Sequence, residues 1–316
     1  MGIDNYANAA QFDKQMSRAK KQHWVPRFYL KEFCIPEEST TKNPKVWIVP
    51  REEGSTKLVG INDVAAQRYL YSPEDEVGQR CWHTEDKLAG LESIVSRIWP
   101  QLASDFVDLS NESVRKGLSL FVATLILRHP RKIHEYKRIQ NEFIEYLDSG
   151  PKDAQGRPNI KSMEIGGKKF EVDNSDWHEF SNPTDYSFKK FFVEQIHNEA
   201  ISIAKILMKK RWSMVFSEKP SFITTDNPVS ILNLEKDIYG LSTKGTFLNF
   251  PVSPTRILMM DDLFDEPGSQ YYSLSEKGPG PANLTSWIEA RKFMVTGRDP
   301  EQVINEMLSL DDEKST

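Results

Sequence analysis

Apolar residues recur every three or four positions through the middle of the chain, which is the period of an amphipathic helix. The first such segment opens at Thr84, and Pro100 is expected to kink the helix or end it. The second is expected to begin after a cap at Ser110 or Asn111 and to stop before Pro130, because a proline disfavours the helical conformation at the residue before it. The apolar face of the first segment is formed by Leu88, Leu91, Val95, Ile98 and Leu102.

Two more amphipathic helices are predicted over residues 131–147 and 187–210. Short apolar runs bounded by turn residues predict strands near the start of the chain and in its last third. The predicted strands cover residues 47–49, 57–61, 212–216, 221–224, 247–252, 256–260 and 293–296, and closing helices are predicted over 281–290 and 300–308. This order predicts an α+β fold, with a helical middle packed with a small, mainly antiparallel sheet that comes largely from the C-terminal third.

Turn-forming residues interrupt the chain between residues 149 and 183, where glycine and proline pairs recur. We expect an insertion there within a single domain that spans residues 20–308. Residues 1–19 are polar and are expected to form a mobile segment, and residues 309–316 are expected to form a solvated tail.

Composition narrows the classes of function. The 316 residues carry a formal net charge of −5, which gives no support to general nucleic-acid binding through a basic surface. The two cysteines, Cys34 and Cys81, are too far apart for a cysteine zinc site and are expected to be reduced thiols. The first twenty residues lack the apolar run of a signal peptide, and no apolar stretch is long enough to cross a bilayer, so we expect a cytoplasmic protein without a membrane partner.

The densest group of chemically useful residues lies at positions 21–30, with the sequence Lys-Gln-His-Trp-Val-Pro-Arg-Phe-Tyr-Leu. His23 offers a base, an acid or a metal ligand, and Arg27 offers a fork for phosphate or carboxylate. Gln22 and Tyr29 add neutral hydrogen bonds. If the segment is extended, His23 and Arg27 lie on the same face. The alternative is a docking segment whose His and Arg bond to buried carbonyl groups.

Two acidic residues of the first helix form a second candidate. Glu85 and Glu92 are seven residues apart, which is two helical turns, so both carboxylates lie on one face. Such a pair can hold a divalent cation or divide acid and base work, although an exposed acidic stripe would show the same spacing. Arg128 follows an apolar helix and needs an acidic partner if it is buried, for which Glu92 and Asp226 are the candidates.

A third candidate is the run Phe-Ile-Thr-Thr-Asp-Asn-Pro-Val at residues 222–229. A hydrophobic strand here leads into polar side chains at a turn. Asp226 and Asn227 are therefore candidate ligands of a metal or a substrate, and an Asx turn that stabilises the bend is an equal alternative. The chain has no Gly-rich phosphate loop, no Gly-x-Ser-x-Gly elbow and no His-Glu-x-x-His motif.

The opening motif resembles that of a microbial family of uncharacterised proteins, domain of unknown function 4238, which has the form Gln-His-Tyr-Val-Pro-x-Phe-Tyr-Leu-x-x-Phe. Here Trp24 stands at the Tyr position. The similarity extends over residues 20–297, and the later motifs follow in the same order. The resemblance implies that scattered polar residues recur as one set: His23, Arg27, Glu92, Arg128, Asp226, Asn227 and Asn283.

These observations lead to three hypotheses. The first is a metal-dependent hydrolase, of nuclease type at its most specific, that acts on a phosphate-containing small molecule or nucleic acid. In it, His23 is the base or a metal ligand, Glu92 and Asp226 are metal ligands or an acid–base pair, and Arg27 and Arg128 stabilise phosphate charge. The second is a non-enzymatic module that binds a ligand or partner through a buried polar network. The third is a structural role, in which His23 and Arg27 fasten the N-terminal segment to the Asp226 turn.

Overall fold

The structure is a computed structural model that describes residues 19–165 and 167–312. Almost all of the predicted mobile segment 1–19, and the last four residues of the predicted tail, lie outside the described residues. The last helix ends at Asp312, four residues beyond its predicted end.

The described helices and strands agree closely with the predicted order. The helices are α1 (Arg27–Glu32), α2 (His83–Ser104), α3 (Glu112–Leu127), α4 (Arg131–Asp148), α5 (Trp177–Ser181), α6 (Asp185–Lys209), α7 (Gly280–Glu289) and α8 (Pro300–Asp312). The strands are β1 (Lys21–His23), β2 (Lys45–Pro50), β3 (Lys57–Gly60), β4 (Ala66–Arg68), β5 (Ser162–Ile165), β6 (Lys168–Glu171), β7 (Arg211–Phe216), β8 (Thr224–Thr225), β9 (Ser230–Asn233), β10 (Thr246–Ser253), β11 (Arg256–Asp261), β12 (Gln270–Ser273) and β13 (Phe293–Thr296). The α+β class is confirmed.

The helical middle is built on α3, which packs along α6. The side chain of Asn111 caps α3 by accepting hydrogen bonds from the backbone N–H groups of Ser113 and Val114, at 3.0 and 3.2 Å. Pro100 lies inside α2 and does not end it. Trp99 and Leu102 are both fully buried beside this proline, and their packing holds the helix through the position where one hydrogen bond is lost.

The strands form two principal sheets where one was expected. The first has the order β12-β7-β11-β10-β9, and its pairs are antiparallel except for β12 with β7. The second is antiparallel and has the order β3-β2-β13-β8, so it joins the N-terminal hairpin to the C-terminal third. Strand β8 therefore belongs to a different sheet from β7, although the two are neighbours in sequence.

An aromatic centre joins the N-terminal segment to the helices and to the first sheet. Tyr29 stacks on Phe250 of β10 with ring centroids 5.5 Å apart, and Trp99 and Phe121 meet the same ring edge-on or tilted. These four side chains are essentially inaccessible to solvent. Because burial of aromatic surface stabilises a fold strongly, this contact fixes α1 against the body and so fixes the residues that flank it.

The segment predicted to be an insertion contains the β5–β6 hairpin, whose strands pair with each other, and the short helix α5. Its status as an insertion stays a prediction. Within residues 19–165 and 167–312, no helix is long and apolar enough to cross a membrane.

Candidate functional site

The opening motif is extended only over β1, which pairs with β4 so that His23 lies opposite Ala66. Arg27 is the first residue of α1, so His23 and Arg27 do not lie on one face of a single extended strand. Gln22 is 1% exposed, and both ends of its amide are used. Its Nε2 donates to the Ser72 hydroxyl at 2.7 Å, and its Oε1 accepts from the Tyr71 backbone N–H at 2.6 Å. Gln22 therefore fastens β1 to the body.

A small polar cavity of about 200 Å³ lies between β1, α1 and the N-terminal half of α2. It contains three of the residues that the sequence singled out, His23, Arg27 and Glu92, together with Glu85. The remaining walls are formed by Ala19, Lys21, Phe28, Tyr71, Leu88 and Ala89. Two carboxyl groups, two cationic side chains and a histidine thus line one small cavity, and three of these five residues belong to the set that the sequence singled out.

Glu85 has the most unusual ionisation in this cavity. Burial, and then the negative charge of Glu92, raise the pKa of Glu85 from 4.5 to about 7. No ion-pair partner lies within 4 Å of this carboxylate in the described part of the chain. A carboxyl group with such a pKa exchanges its proton near neutral pH, as a general acid or base must.

Glu92 forms an ion pair with a buried cation, Arg128. Its Oε1 accepts a hydrogen bond of 2.7 Å from Nη1 of Arg128, a side chain that is 1% exposed. The guanidinium also donates from Nε to the Trp24 carbonyl at 2.7 Å, and its Nη2 has no hydrogen-bond partner among the described residues. Removing either partner of such a pair would leave the other buried without its counter-group, so the contact fixes Glu92 beside Glu85.

His23 is neutral at physiological pH. Burial lowers its pKa from 6.5 to about 4, and the positive charges of Arg27 and Lys21 act in the same direction. Its Nε2 lies 3.3 Å from the Ile61 carbonyl oxygen, which only accepts, so Nε2 carries the proton and Nδ1 is an acceptor. A histidine with this pKa is a weak base at neutral pH.

Asp226 does not line this cavity. It is fully buried, and its Oδ1 accepts from the backbone N–H groups of Arg291 and Lys292 at 2.9 and 3.1 Å. Its Oδ2 lies 3.3 Å from Nε2 of His129, whose Nδ1 accepts from the Arg131 backbone N–H at 3.1 Å. Both ring nitrogens of His129 and both carboxylate oxygens of Asp226 are thus committed. This pair locks the connection between α7 and β13 to the end of α3.

The other sequence-selected residues also hold the backbone. The amide of Asn283 accepts from the Ile223 N–H and donates to the Ser221 carbonyl, both at 3.0 Å. Asn227 donates to the Glu289 carbonyl at 3.0 Å. The Tyr29 hydroxyl bonds to the Thr224 hydroxyl and the Pro251 carbonyl at 2.5 and 2.8 Å, and burial raises the pKa of Tyr29 far above its usual range.

The sequence-selected set therefore divides into two parts. In the first part, His23, Arg27 and Glu92 line the cavity, and Arg128 bonds to Glu92. The second part, Asp226, Asn227 and Asn283, bonds to the backbone. Trp24 links the two: its carbonyl accepts from Arg128, and its Nε1 donates to the Asp226 carbonyl at 3.0 Å. Glu85 has no role in the first hypothesis, although the sequence pairs it with Glu92. Its seven-residue spacing from Glu92 was the signal that it faces the same cavity.

Among residues 19–165 and 167–312, no group of three or more His, Cys, Asp and Glu side chains is arranged to hold a metal ion. The first hypothesis offered Glu92 and Asp226 as metal ligands or as an acid–base pair. Glu92 bonds to Arg128, and Asp226 bonds to His129 and to backbone N–H groups.

A protein-family comparison matches residues 21–299 to the family described as Protein of unknown function (DUF4238). No curated protein and no solved structure matches the chain. The matched residues include the cavity-lining residues from Lys21 to Glu92 and also His129 and Asp226.

Proposed function

We propose that this chain, which belongs to the DUF4238 family of proteins of unknown function, is a hydrolase of phosphate esters whose active site is the cavity of His23, Arg27, Glu85 and Glu92. The observation that carries the proposal is the Glu85 carboxyl, which has a pKa of about 7 and shares the cavity with Glu92, the ion-pair partner of Arg128. An acid–base group is most effective when its pKa lies near the working pH.

Phosphate recognition rests on two cations of the cavity wall. Arg27 is exposed, and no carboxylate of the described residues forms an ion pair with it, so its planar guanidinium is free to bind phosphate oxygens in a forked arrangement. Lys21 shares the wall and forms an ion pair with Asp63. The cavity volume of about 200 Å³ is smaller than the usual pocket for a drug-sized molecule, so it accommodates the reacting phosphate while the rest of the substrate extends outside.

One group, the Glu85 carboxyl, carries out both proton transfers. Ionised Glu85 accepts a proton from a water molecule as the water oxygen bonds to phosphorus. The protonated carboxyl then gives this proton to the leaving oxygen as the P–O ester bond breaks. One water is consumed, an alcohol and a phosphate are released, and Glu85 returns to its ionised form. Nδ1 of His23 accepts a hydrogen bond that orients the water or the substrate, and Arg27 neutralises charge that develops on phosphate.

A small phosphate ester fits these features better than a nucleic-acid strand does. A protein that tracks a nucleic-acid backbone needs a row of cations, whereas this chain has a net charge of −5 and the cavity offers two. Hydrolysis of a small phosphate ester is therefore favoured over nuclease activity.

The test is hydrolysis of p-nitrophenyl phosphate, bis(p-nitrophenyl) phosphate and a single-stranded oligonucleotide, each with and without added divalent cation. We expect Glu85→Gln to lower kcat by about a hundredfold or more and Arg27→Gln to raise KM. The matched controls, Glu53→Gln and Arg97→Gln, change exposed residues outside the cavity and should behave as wild type. A wild-type protein that hydrolyses none of the three, or a Glu85→Gln variant with full activity, would contradict the proposal.

A binding module is the second candidate, because most of the sequence-selected polar groups are satisfied within the protein. Gln22, Asn283 and the His129–Asp226 pair all bond to backbone or neighbouring side chains. This candidate predicts that inorganic phosphate binds to the wild type and not to Arg27→Gln in a calorimetric titration, with no turnover of any ester.

A further inference from the structure

A second and larger cavity, of about 750 Å³, lies on the other side of Phe28. It is bounded by α1, the C-terminal half of α2, residues 220–222 and the beginning of α8. Three aromatic rings, those of Phe28, Trp99 and Phe222, line it, and four prolines complete the apolar wall: Pro36, Pro100, Pro220 and Pro254. The volume falls in the range of small-molecule sites, and rings and prolines keep such a wall rigid.

One wall of this cavity is held by a close backbone contact. A Cβ atom on Gly297 would lie 2.3 Å from the Cys34 carbonyl oxygen and 2.9 Å from that of Phe33, so only glycine permits this approach. The contact joins the end of β13 directly to the turn after α1. The cavity is thus formed by packed elements of the fold and not by a loop at the surface.

Most charged groups of the cavity already have partners. Arg298 forms an ion pair with Glu306 through both terminal nitrogens, and its Nη1 also donates to the Ser221 carbonyl at 2.7 Å. Asp299 accepts from the Gln302 backbone N–H at 3.0 Å at the start of α8. These contacts leave two groups uncommitted among the described lining residues, Glu32 and the exposed Lys31.

Glu32 is the group that needs a ligand. Its side chain is partly buried against the apolar wall, no described residue forms an ion pair or hydrogen bond with it, and burial raises the pKa of its carboxyl. A half-buried carboxyl without a partner is destabilising in either state of ionisation. An ammonium or amidinium group would satisfy it with charge-assisted hydrogen bonds, while rings and prolines would cover the rest of the ligand.

We infer that this cavity binds a small, mostly apolar molecule that carries one cationic N–H group, with Glu32 as the counter-group and Phe28 and the four prolines as the apolar contacts. Lys31 is exposed, and its positive charge acts on the Glu32 carboxyl against the effect of burial on the pKa. The site is distinct from the acid–base cavity: Phe28 is the only described residue that lines both. The inference does not depend on the proposed hydrolase activity.

The test uses three benzyl compounds of different charge: benzylamine, benzyl alcohol and the slightly larger phenylacetate. Binding to the full chain is measured by saturation-transfer NMR and by calorimetric titration. We expect benzylamine to bind at least about tenfold more tightly than benzyl alcohol, as a charge-assisted hydrogen bond predicts, and phenylacetate to bind most weakly. Glu32→Gln should reduce benzylamine affinity about tenfold or more and leave benzyl alcohol unaffected.

Two further variants separate the site from general effects of charge and folding. Glu37→Gln removes an exposed carboxylate of the adjacent turn outside the cavity and should bind benzylamine as wild type does. Gln302→Trp places a large side chain at the exposed rim and should weaken all three probes. Equal affinity for the three probes, preference for phenylacetate, or equal losses in Glu32→Gln and Glu37→Gln would overturn the inference.

Discussion

Replacing Glu85 with glutamine should change how the stability of the protein depends on pH. Because the pKa of Glu85 is raised from 4.5 to about 7 in the folded protein, the folded state holds its proton more firmly than the unfolded chain does. The wild type is therefore stabilised by this group below pH 4.5, and that stabilisation is lost as the pH rises through about 7. Glutamine keeps the shape and removes the ionisation, so its contribution does not change with pH.

The magnitude follows from the size of the pKa change. A rise from 4.5 to about 7 corresponds to at most about 3 kcal/mol, and we expect about 1–3 kcal/mol because Glu85 is only partly buried. His23 titrates in the opposite sense: its lowered pKa makes stability fall as the pH drops from 6.5 through about 4. Since the variant retains His23, the difference between the two proteins isolates Glu85.

The assay is urea denaturation followed by tryptophan fluorescence at pH 5, 6, 7 and 8. Between pH 5 and pH 8, Glu85→Gln should gain about 1–3 kcal/mol of unfolding free energy relative to the wild type. Glu53→Gln, which changes an exposed glutamate, should show no such trend. A difference between Glu85→Gln and the wild type that stays constant with pH would refute the reasoning, because Glu85 would then ionise as it does in the unfolded chain.

Three other substitutions test the surroundings of the cavity. Glu92→Gln leaves the buried Arg128 guanidinium without a counter-charge and should lower the unfolding free energy by about 2–4 kcal/mol, measured by urea denaturation. Asp226→Asn keeps an oxygen for the backbone N–H groups but replaces the oxygen that faces Nε2 of His129 with an NH2 donor, and it should cost about 2–3 kcal/mol in the same experiment, with unchanged ester hydrolysis per folded molecule. A selective loss of turnover would return Asp226 to the active site. Gly297→Ala forces a Cβ against the Cys34 carbonyl and should destabilise by about 2–3 kcal/mol, whereas a wild-type melting curve would contradict the close contact.

The helices were predictable because their signals are local. Asn111 caps α3, and Pro130 marks the end of that helix, as the sequence indicated. Pro100 shows the limit of this reasoning, since burial of Trp99 and Leu102 outweighs the local preference of the proline. Strand β12 was missed because its sequence, Gln-Tyr-Tyr-Ser, is short and shows no alternation of apolar and polar residues.

The candidate site was predictable in its residue types and only partly in its membership. Sequence spacing placed Glu85 and Glu92 on one face, and their cavity followed from that geometry. No local signal could show that Asp226 accepts a hydrogen bond from a backbone N–H group 65 residues away. The sequence also could not show the burial that lowers the pKa of His23 and thereby weakens it as a base.

The pH dependence of kcat/KM for bis(p-nitrophenyl) phosphate hydrolysis by the wild type and by Glu85→Gln tests the central claim most directly. The account predicts a rate that rises with pH through an apparent pKa near 7 in the wild type, and a variant that has lost both this rise and most of the activity. Turnover that is absent in the wild type, or that keeps the same pH profile in Glu85→Gln, would contradict it.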